Sequence, residues 1–503
     1  MDYIGAMGPG QFINSRCSGN SGPFGAKQRI AESKGTKGHP SVSNVNLHLF
    51  HLGVVGLACL GAQAALFTFR PLTFLAPDSP TYLELGERLL QHPSFVNLFD
   101  SARTPGYPSF LALLGALGIH GDAIAFAQAI LLVAAAFELY VLTYWLTRSR
   151  WAATVAGVII GTNLFLLDYE RTFMTEALAT FAVATLALCF WRWLHSSSLS
   201  WAVAFTGVSL LAIFTRPSLL YLPILLLLFV FFECRRKWTS VLVVIGIVYM
   251  PVIGYTLIND RLYPHSGLSV SDNINLFGKI LEYKMAGEGD ATRFPALWQA
   301  AQNLAPDSTA LWHMPRQLPS DLLGVNAGNA GDFSREIICQ HPMEYAGASL
   351  LDLILNWLSM PYLVPSIQQV ESPSPPPVAA TLFDIAVRQG AIPNGIAVRV
   401  WFSISFIPYT LTLAVPLLLL ALALIRKELN RKFVLFVAAA TLALLGTLMM
   451  SALLEYIIDP RKRIPVEPLI VVLMVAGVAQ ILHALRVRRE IKGNSALSRI
   501  VKE

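Results

Sequence analysis

Long apolar runs, separated by short polar stretches, dominate the sequence. Most are close to the roughly 20 residues that a helix needs to cross the hydrocarbon layer of a membrane. Backbone groups have no water to bond with inside that layer, so such runs are predicted to be helical. The clearest runs are 47–69, 123–147, 152–168, 172–194, 201–215, 217–233, 238–258, 400–425, 433–455 and 464–485. The pattern predicts an all-α polytopic membrane protein with about 10 transmembrane helices, in a range of roughly 10 to 13.

Two weaker apolar runs, 106–119 and 347–365, are short or interrupted by proline, and we place both at the membrane interface. With a cytoplasmic amino terminus, the basic connections at 148–150, 235–237 and 426–432 then all lie in the cytoplasm, as the positive-inside rule requires. If the first weak run crossed the membrane, the basic loops that follow it would change sides. Charge therefore favours ten crossings, one for each clear run.

The polar segments divide the chain into regions. The first 46 residues are rich in Gly, Ser, Asn and Lys and lack a signal-peptide pattern, so they predict disorder rather than a cleaved leader. The predicted order is a disordered cytoplasmic tail (1–46), a transmembrane core (47–258) with a first extracytoplasmic loop (70–122) containing interfacial helices, an extracytoplasmic loop region with an interfacial helix (259–399), C-terminal transmembrane helices (400–485), and a basic cytoplasmic tail (486–503).

Composition excludes several classes of function. The chain has 503 residues, of which 54% are hydrophobic and 14% charged, which is far too apolar for a soluble protein of this length. The net charge of +6 comes largely from basic residues in short loops and tails, where they set membrane orientation, so nucleic-acid binding gains no support. Neither HExxH nor GxxxxGK[ST] occurs, which argues against a zincin protease and a P-loop nucleotide hydrolase.

Two acidic residues are the leading catalytic candidates. Asp78 lies between prolines in a polar loop after the first span, where a carboxylate at a bilayer surface suggests a function. Its alternative role is that of a helix N-cap or turn former. Glu176 begins a strongly apolar helix, and acids inside a membrane are functional candidates by default. Its alternative role is favourable interaction with the positive end of its own helix.

Other polar residues near the same predicted membrane face are secondary candidates. Asp168 and Glu170 share one turn, and we expect Arg171 to be their salt-bridge partner rather than a ligand. Tyr82 and Tyr107 stand in the first extracytoplasmic loop, close in sequence to the candidate acid or to a proline-rich turn.

Five cations are candidates for binding a phosphate. Arg461, Lys462 and Arg463 form a triplet on the predicted extracytoplasmic side, against the charge rule, and Arg and Lys both bind phosphate well. The alternative is non-specific contact with anionic lipid headgroups. Arg103 precedes the turn Thr-Pro-Gly-Tyr-Pro, and Arg216 separates two apolar runs. Either of these two could instead extend its side chain to the headgroups.

The order of these motifs along the chain resembles the GT-C superfamily of integral membrane glycosyltransferases. Within it, the similarity is to the bacterial branch related to protein O-mannosyltransferases and lipid A aminoarabinose transferases, and it covers residues 47–258 and 400–485. The chain departs from the family pattern in two places. The first-loop acid stands in an Asp-Ser pair, whereas the aminoarabinose branch commonly has Asp-Glu, and residues 259–399 match nothing in the family pattern. The resemblance implies a sugar donor linked to polyprenyl phosphate and an active site at the outer face of a bacterial inner membrane.

The resemblance also implies roles for individual residues. Asp78 matches the family's first-loop carboxylate, a catalytic base or a group that positions a metal, and Glu176 matches a second acidic position. Arg461, Lys462 and Arg463 occupy the region that meets the carrier phosphate in relatives. Because hard oxygen ligands suit Mg²⁺ or Mn²⁺, a divalent cation shared by Asp78 and Glu176 is a further expectation.

The predicted function is therefore transfer of a hexosyl or pentosyl group, with inversion, to a hydroxyl or phosphate of a lipid, glycan or protein acceptor. Membrane lipids are the other expected partners. A secondary transporter or lipid flippase is the main alternative, although the two halves of the chain show no internal repeat of the kind transporters have. A non-catalytic scaffold that presents residues 259–399 to a partner is a third possibility.

Overall fold

The structure is a computed structural model that describes residues 42–69, 73–76, 78–196, 198–233, 238–264, 267–304, 327–358, 393–405, 418, 431–454 and 460–500. These residues form α-helices and short 3-10 helices. The β-pairing within them is an isolated bridge between Phe74 and Thr172. The predicted all-α fold class is confirmed.

The helices follow the apolar runs. In chain order they are α1 Val42–Phe69, α2 Ser79–Gln91, α3 Gly106–Ala116, α4 Ala123–Thr147, α5 Arg150–Gly161, α6 Leu164–Tyr169, α7 Glu176–Ser196, α8 Leu199–Thr215, α9 Leu222–Glu233, α10 Trp238–Leu262, α11 Ser271–Glu282, α12 Pro295–Leu304, α13 Ala327–Gln340, α14 Pro342–Leu358, α15 Ile396–Ser405, α16 Arg431–Leu454 and α17 Glu467–Ile500. Single 3-10 helices cover Val96–Leu98, Pro217–Leu219, Met285–Glu288 and Pro460–Val466.

Among the described residues, six helices are long and apolar enough to cross a membrane. They are Val45–Thr68, Ala123–Thr147, Glu176–Ser196, Trp238–Leu262, Lys432–Leu454 and Arg463–His483. Shorter apolar helices include α3, α5, α8 and α15. The protein is thus a polytopic membrane protein, as predicted. Most of the predicted run 400–425 lies outside the described residues, as does the end of the weak run 347–365.

The predicted run 152–168 is not one helix, which corrects the sequence interpretation. Helix α5 ends at Gly161 and α6 begins at Leu164. Between them, the Asn163 side chain accepts hydrogen bonds from the backbone amides of Phe165 and Leu166, at 3.0 and 3.3 Å. Asn is a strong N-cap because its side-chain oxygen satisfies these otherwise unpaired amides. The apolar run therefore contains a new helix start.

The chain divides into two compact units, Met1–Leu49 and Phe50–Glu503. In the first unit, the described residues 42–49 are the opening turns of α1, so the helix begins before the predicted boundary at residue 47. The predicted disorder of residues 1–41 lies outside the described residues. At the other end, α17 continues to Ile500, so the basic tail predicted from residue 486 is helical over most of its length.

Three hydrophobic clusters organise the second unit. The largest combines buried residues of α4, α5, α7, α16 and α17, with α7 near its centre. A second cluster joins α11, α13 and the 3-10 helix Met285–Glu288, so part of the predicted loop region 259–399 is a helical subdomain with its own core. A third cluster joins buried residues of α3, among them Tyr107, to Phe173 and to the start of α7. This third cluster supports the candidate site.

Candidate active site

Asp78 stands at the N-cap position of α2, but its side chain makes no capping hydrogen bond. Instead, its Oδ1 accepts a hydrogen bond from Nη2 of Arg103 at 2.8 Å in an ion pair. The Ser79 hydroxyl accepts from the backbone amide of Ala76 at 2.9 Å, which helps to shape the loop before the helix. The carboxylate of Asp78 is therefore directed to an arginine rather than to its own helix.

Arg103 is held against the first turn of α2. Its Nε donates to the Thr81 hydroxyl at 2.8 Å, and its Nη1 donates to the Tyr82 hydroxyl at 3.3 Å. The guanidinium also lies over the Tyr82 ring, 4.4 Å from the centroid, in a cation–π contact. The Asp100 carboxylate accepts from the backbone amide of Arg103 at 3.0 Å. Both the backbone and the side chain of Arg103 are thus fixed.

Close packing requires a glycine at position 106, in the Arg-Thr-Pro-Gly-Tyr-Pro turn. A Cβ at this position would lie 2.5 Å from backbone atoms of Phe214 and Thr215, so α3 begins in direct backbone contact with the end of α8. A side chain here would push the two helix ends apart. Arg216 follows immediately after α8, so this close approach brings the two loop arginines, Arg103 and Arg216, to the same region.

Glu176 forms the second ion pair of this region. Its Oε1 accepts a hydrogen bond from Nη1 of Arg216 at 3.0 Å. The side chain of Glu176 is only 2% exposed, whereas that of Arg216 is 16% exposed. Its second oxygen, Oε2, is buried and has no hydrogen-bond partner among the described residues. Glu176 is also the first residue of α7, so the favourable position at a helix N-terminus applies as well.

Tyr82 contacts the first ion pair through Arg103 and senses the charges of the second. The charges of Arg103, Asp78, Glu176 and Arg216 all act on this phenol, while burial raises its pKa and keeps it neutral. The Tyr82 ring also packs edge-on against Tyr107, with centroids 5.3 Å apart. We refer to Asp78, Arg103, Tyr82, Glu176 and Arg216 as the acid–arginine cluster.

Tyr107 packs its ring against the cluster through Tyr82, while its hydroxyl bonds elsewhere. The side chain is fully buried, and its hydroxyl donates to Gln128 Oε1 at 2.9 Å. Gln128 in turn donates to the backbone carbonyls of Glu170 and Thr172, at 2.6 and 3.0 Å. Sequence reasoning missed Gln128, although a single amide inside the apolar helix α4 was a visible signal.

Asp168 and Glu170 lie in a different place. Both are fully buried, as is Arg171, whose Nε is 3.7 Å from Glu170 Oε1. The expected pairing of Arg171 is therefore confirmed for Glu170, and its pairing with Asp168 stays a prediction. Arg171 also contacts α1, donating to Gln63 Oε1 at 3.3 Å and lying 3.2 Å from the centroid of the Phe67 ring.

Burial also sets the protonation of Glu170. It raises the pKa of the Glu170 carboxyl to about 8, more than the nearby hydrogen bonding and the Arg171 charge lower it. Glu170 and Arg171 thus belong to a buried structural contact with α1, and Asp168 is buried in the same turn.

The basic triplet lies in the 3-10 helix Pro460–Val466, which packs beside α7. The Thr180 hydroxyl donates to the Ile464 carbonyl at 3.5 Å, one helical turn from Glu176. Arg463 is fully buried and interacts electrostatically with Glu467, an equally buried acid that sequence reasoning did not single out. The side chains of Arg461 and Lys462 lie outside the described part of the structure.

A divalent cation at Asp78 and Glu176, as the sequence predicts, would compete with two ion pairs. Each carboxylate is already paired with its own arginine. Among the described residues, neither acid belongs to a group of three or more metal-ligating side chains. The acid–arginine cluster is instead suited to bind an anion, because displacement of either carboxylate exposes a guanidinium. Metal binding by these two acids stays a prediction.

No family model matches the chain, and no curated protein matches it. Among solved structures, the chain is similar to ArnT from Cupriavidus metallidurans bound to undecaprenyl phosphate, with 14% identity, a TM-score of 0.34, and coverage of 83% of this chain and 78% of that chain. The apo structure of the same protein has 14% identity, a TM-score of 0.32, and coverage of 82% and 78%.

Similarity at these TM-scores carries no argument about activity or site residues.

Proposed function

We propose that this protein is a membrane glycosyltransferase that moves a sugar from a polyprenyl-phosphate donor to an acceptor at the extracytoplasmic face of a bacterial inner membrane. One observation carries the proposal. Two ion pairs, Asp78 with Arg103 at 2.8 Å and Glu176 with Arg216 at 3.0 Å, lie where the start of α3 packs against the end of α8 at Gly106. Such a cluster offers cations for a phosphate and carboxylates for an acceptor within one site.

The arginines fit the phosphate of a lipid-linked donor. A polyprenyl chain stays in the bilayer, so its phosphate lies at the membrane surface, where the loops of this cluster are expected. Guanidinium groups bind phosphate oxygens through paired, charge-assisted hydrogen bonds. Both arginines keep part of their side chains exposed, 17% for Arg103 and 16% for Arg216. The same cations would stabilise the negative charge that develops on the leaving phosphate.

Asp78 fits the role of general base. Its side chain is 35% exposed, so an acceptor hydroxyl can reach it. When the donor phosphate binds Arg103, the Asp78 carboxylate loses its ion-pair partner. Loss of that positive charge raises the affinity of the carboxylate for a proton. The acceptor oxygen then bonds to the anomeric carbon, the bond from that carbon to the phosphate oxygen breaks with its electron pair, and the acceptor proton passes to Asp78. This single displacement inverts the anomeric centre.

Glu176 fits a positioning role beside Asp78. Buried polar atoms normally have a hydrogen-bond partner, and Glu176 Oε2 has none among the described residues. A hydroxyl of the hexosyl or pentosyl group, or of the lipid, glycan or protein acceptor, would supply one. Arg461 and Lys462 lie on a segment packed one turn from Glu176, so we propose that they extend the cationic surface toward the carrier. Arg463, being buried beside Glu467, would hold that segment in place.

The proposal is tested by sugar transfer in membranes from a polyprenyl-phosphate-linked donor. Wild type is compared with Asp78→Asn, which keeps the shape and removes the base. Glu84→Gln is the matched control, because Glu84 is an exposed acid on the same helix α2. Loss of a general base should slow transfer about 100-fold or more, since such groups contribute roughly 10²- to 10⁴-fold. Undiminished transfer by normally expressed Asp78→Asn protein would remove the assignment.

A further inference from the structure

Three metal-ligating side chains converge in the helical subdomain of residues 267–304 and 327–358, outside the acid–arginine cluster. His341 Nδ1 lies 2.9 Å from Glu288 Oε2 and 3.9 Å from Glu344 Oε2. One ligand atom from each residue lies within 4.8 Å of the other two. No other group of this kind occurs among the described residues. From the geometry and charge of this group, we propose that Glu288, His341 and Glu344 bind one divalent transition-metal ion, with zinc as the best fit.

The separations match zinc coordination. Zinc binds imidazole nitrogen and carboxylate oxygen at about 2.0–2.2 Å in a tetrahedral arrangement, which places two ligand atoms about 3.4 Å apart. The two separations from His341 Nδ1, 2.9 and 3.9 Å, lie on either side of this value. Small rotations of the glutamate side chains would therefore complete three bonds. Partial exposure of all three side chains leaves the fourth position for water.

Packing holds the ligands in place. Glu288 ends the 3-10 helix whose residues Met285 and Ala286 are buried in the subdomain core. At the next residue, Gly289, any side chain would overlap the Phe333 ring, so the backbone beside Glu288 presses directly on α13. Ligands supported by rigid elements in this way are pre-organised for binding.

His341 is fixed just as firmly at the junction of α13 and α14. Its backbone amide donates to the Ile337 carbonyl at 2.8 Å, and its carbonyl accepts from the Tyr345 amide at 3.1 Å. His341 immediately precedes α14 and Glu344 lies in the first turn of that helix, three residues later, so the two side chains lie close together. A bound ion would thus tie the 3-10 helix to the start of α14.

Charge favours a cation at this position. Two carboxylates face a single imidazole, and two arginines of the same subdomain pair with other acids, Arg293 with Glu336 at 2.6 Å and Arg335 with Asp332 at 2.8 Å. The imidazole selects for zinc-like ions over Mg²⁺ and Ca²⁺, which prefer a shell of oxygen ligands alone. This inference is independent of the proposed glycosyl transfer.

Zinc binding to the purified full-length protein in detergent tests the proposal, after chelator treatment and by competition with a chromophoric chelator. We expect one zinc ion per chain. Loss of a residue that only supports a metal ligand lowers metal affinity roughly 10–100-fold. His341→Ala removes a ligand itself, so its zinc affinity should fall by more than that. His120→Ala is the matched control, because His120 is an exposed histidine in the first loop, outside the group of three. It should bind zinc as wild type does.

A second variant and a second metal keep the test decisive. If His341→Ala fails to fold, Glu344→Gln removes a ligand whose side chain is 62% exposed and should weaken binding in the same direction. Co²⁺ in place of zinc should give visible d–d absorption in wild type that both ligand variants lose. No binding by wild type, or equal binding by wild type, His341→Ala and Glu344→Gln, would overturn the proposal and leave the group as an ordinary surface ion pair.

Discussion

Lys279 and Asp352 form a buried ion pair whose removal should destabilise the protein strongly. Lys279 Nζ lies 2.7 Å from Asp352 Oδ2, and the two side chains are 0% and 1% exposed. The ammonium also donates to the Ala452 carbonyl in the last turn of α16, and Tyr283 donates its hydroxyl to the other oxygen of Asp352. The pair thus joins α11 and α14 to the end of α16. We consider the substitution Lys279→Met, which keeps the length of the side chain and removes the charge.

The expected magnitude follows from this burial. Lys279→Met leaves the Asp352 carboxylate inside the protein with the Tyr283 hydroxyl as its remaining described partner, and breaking a buried pair from one side typically costs about 3–5 kcal/mol. Replacing Asp352 by Asn as well removes the stranded charge and keeps an acceptor for Tyr283. The double variant should therefore be less destabilised than the sum of the two single variants, with a coupling of about 0.5–3 kcal/mol.

The assay is the free energy of unfolding in mixed micelles, measured for wild type, Lys279→Met, Asp352→Asn and the double variant. Lys284→Met is the matched control, because Lys284 is an exposed lysine shortly after the same helix. Its effect should stay within about 0.5 kcal/mol, as is usual for surface positions. If Lys279→Met cost no more than Lys284→Met, or if the single effects simply added, the buried pair would not hold the subdomain to α16.

Three further outcomes follow from the structure. Gly106→Ala should lower both stability and sugar transfer, because its Cβ would meet backbone atoms at 2.5 Å, whereas Gly61→Ala, inside α1 with nothing within 4 Å, should lower neither. Burial raises the pKa of Glu170 to about 8 from an ordinary value of 4.5, so the folded state holds a proton that the unfolded state releases, and stability should fall as pH rises between these values. Glu170→Gln should flatten that pH dependence of the unfolding free energy, and an unchanged slope would contradict the pKa shift. Gln128→Leu should lower thermal stability by leaving the Tyr107 hydroxyl and two backbone carbonyls without their described partner, and an unchanged melting temperature would refute that bridging role.

The membrane made the helices predictable from the sequence, because a spanning helix must be long, apolar and continuous. The break at Asn163 was hidden for the same reason. Residues Gly161, Thr162 and Asn163 carry the local signal for a helix end and a new N-cap, but the apolar run continues on both sides. Length and hydropathy alone could not separate one crossing helix from two shorter ones.

The acids and arginines of the cluster could be selected from the sequence, but their pairing could not. Asp78 contacts Arg103 and Glu176 contacts Arg216, and each contact depends on how distant loops meet above the bundle. Lys279 escaped notice because it lies in a segment that looked like a polar loop, where charged residues are ordinary, and Asp352 because it lies in the weak apolar run 347–365 that was placed at the interface. Their burial follows from the helical subdomain, which no local pattern in residues 259–399 predicted.

The central claim is that Arg103 and Arg216 serve one donor phosphate, and the binding of a polyprenyl phosphate to the purified protein tests it most directly. Arg103→Gln and Arg216→Gln should each weaken binding by about tenfold or more, because a hydrogen bond to a charged group contributes roughly 1.5–3 kcal/mol. Arg335→Gln, which removes an arginine whose side chain is 57% exposed, should bind as wild type does. Wild-type affinity in both Arg103→Gln and Arg216→Gln would contradict the account.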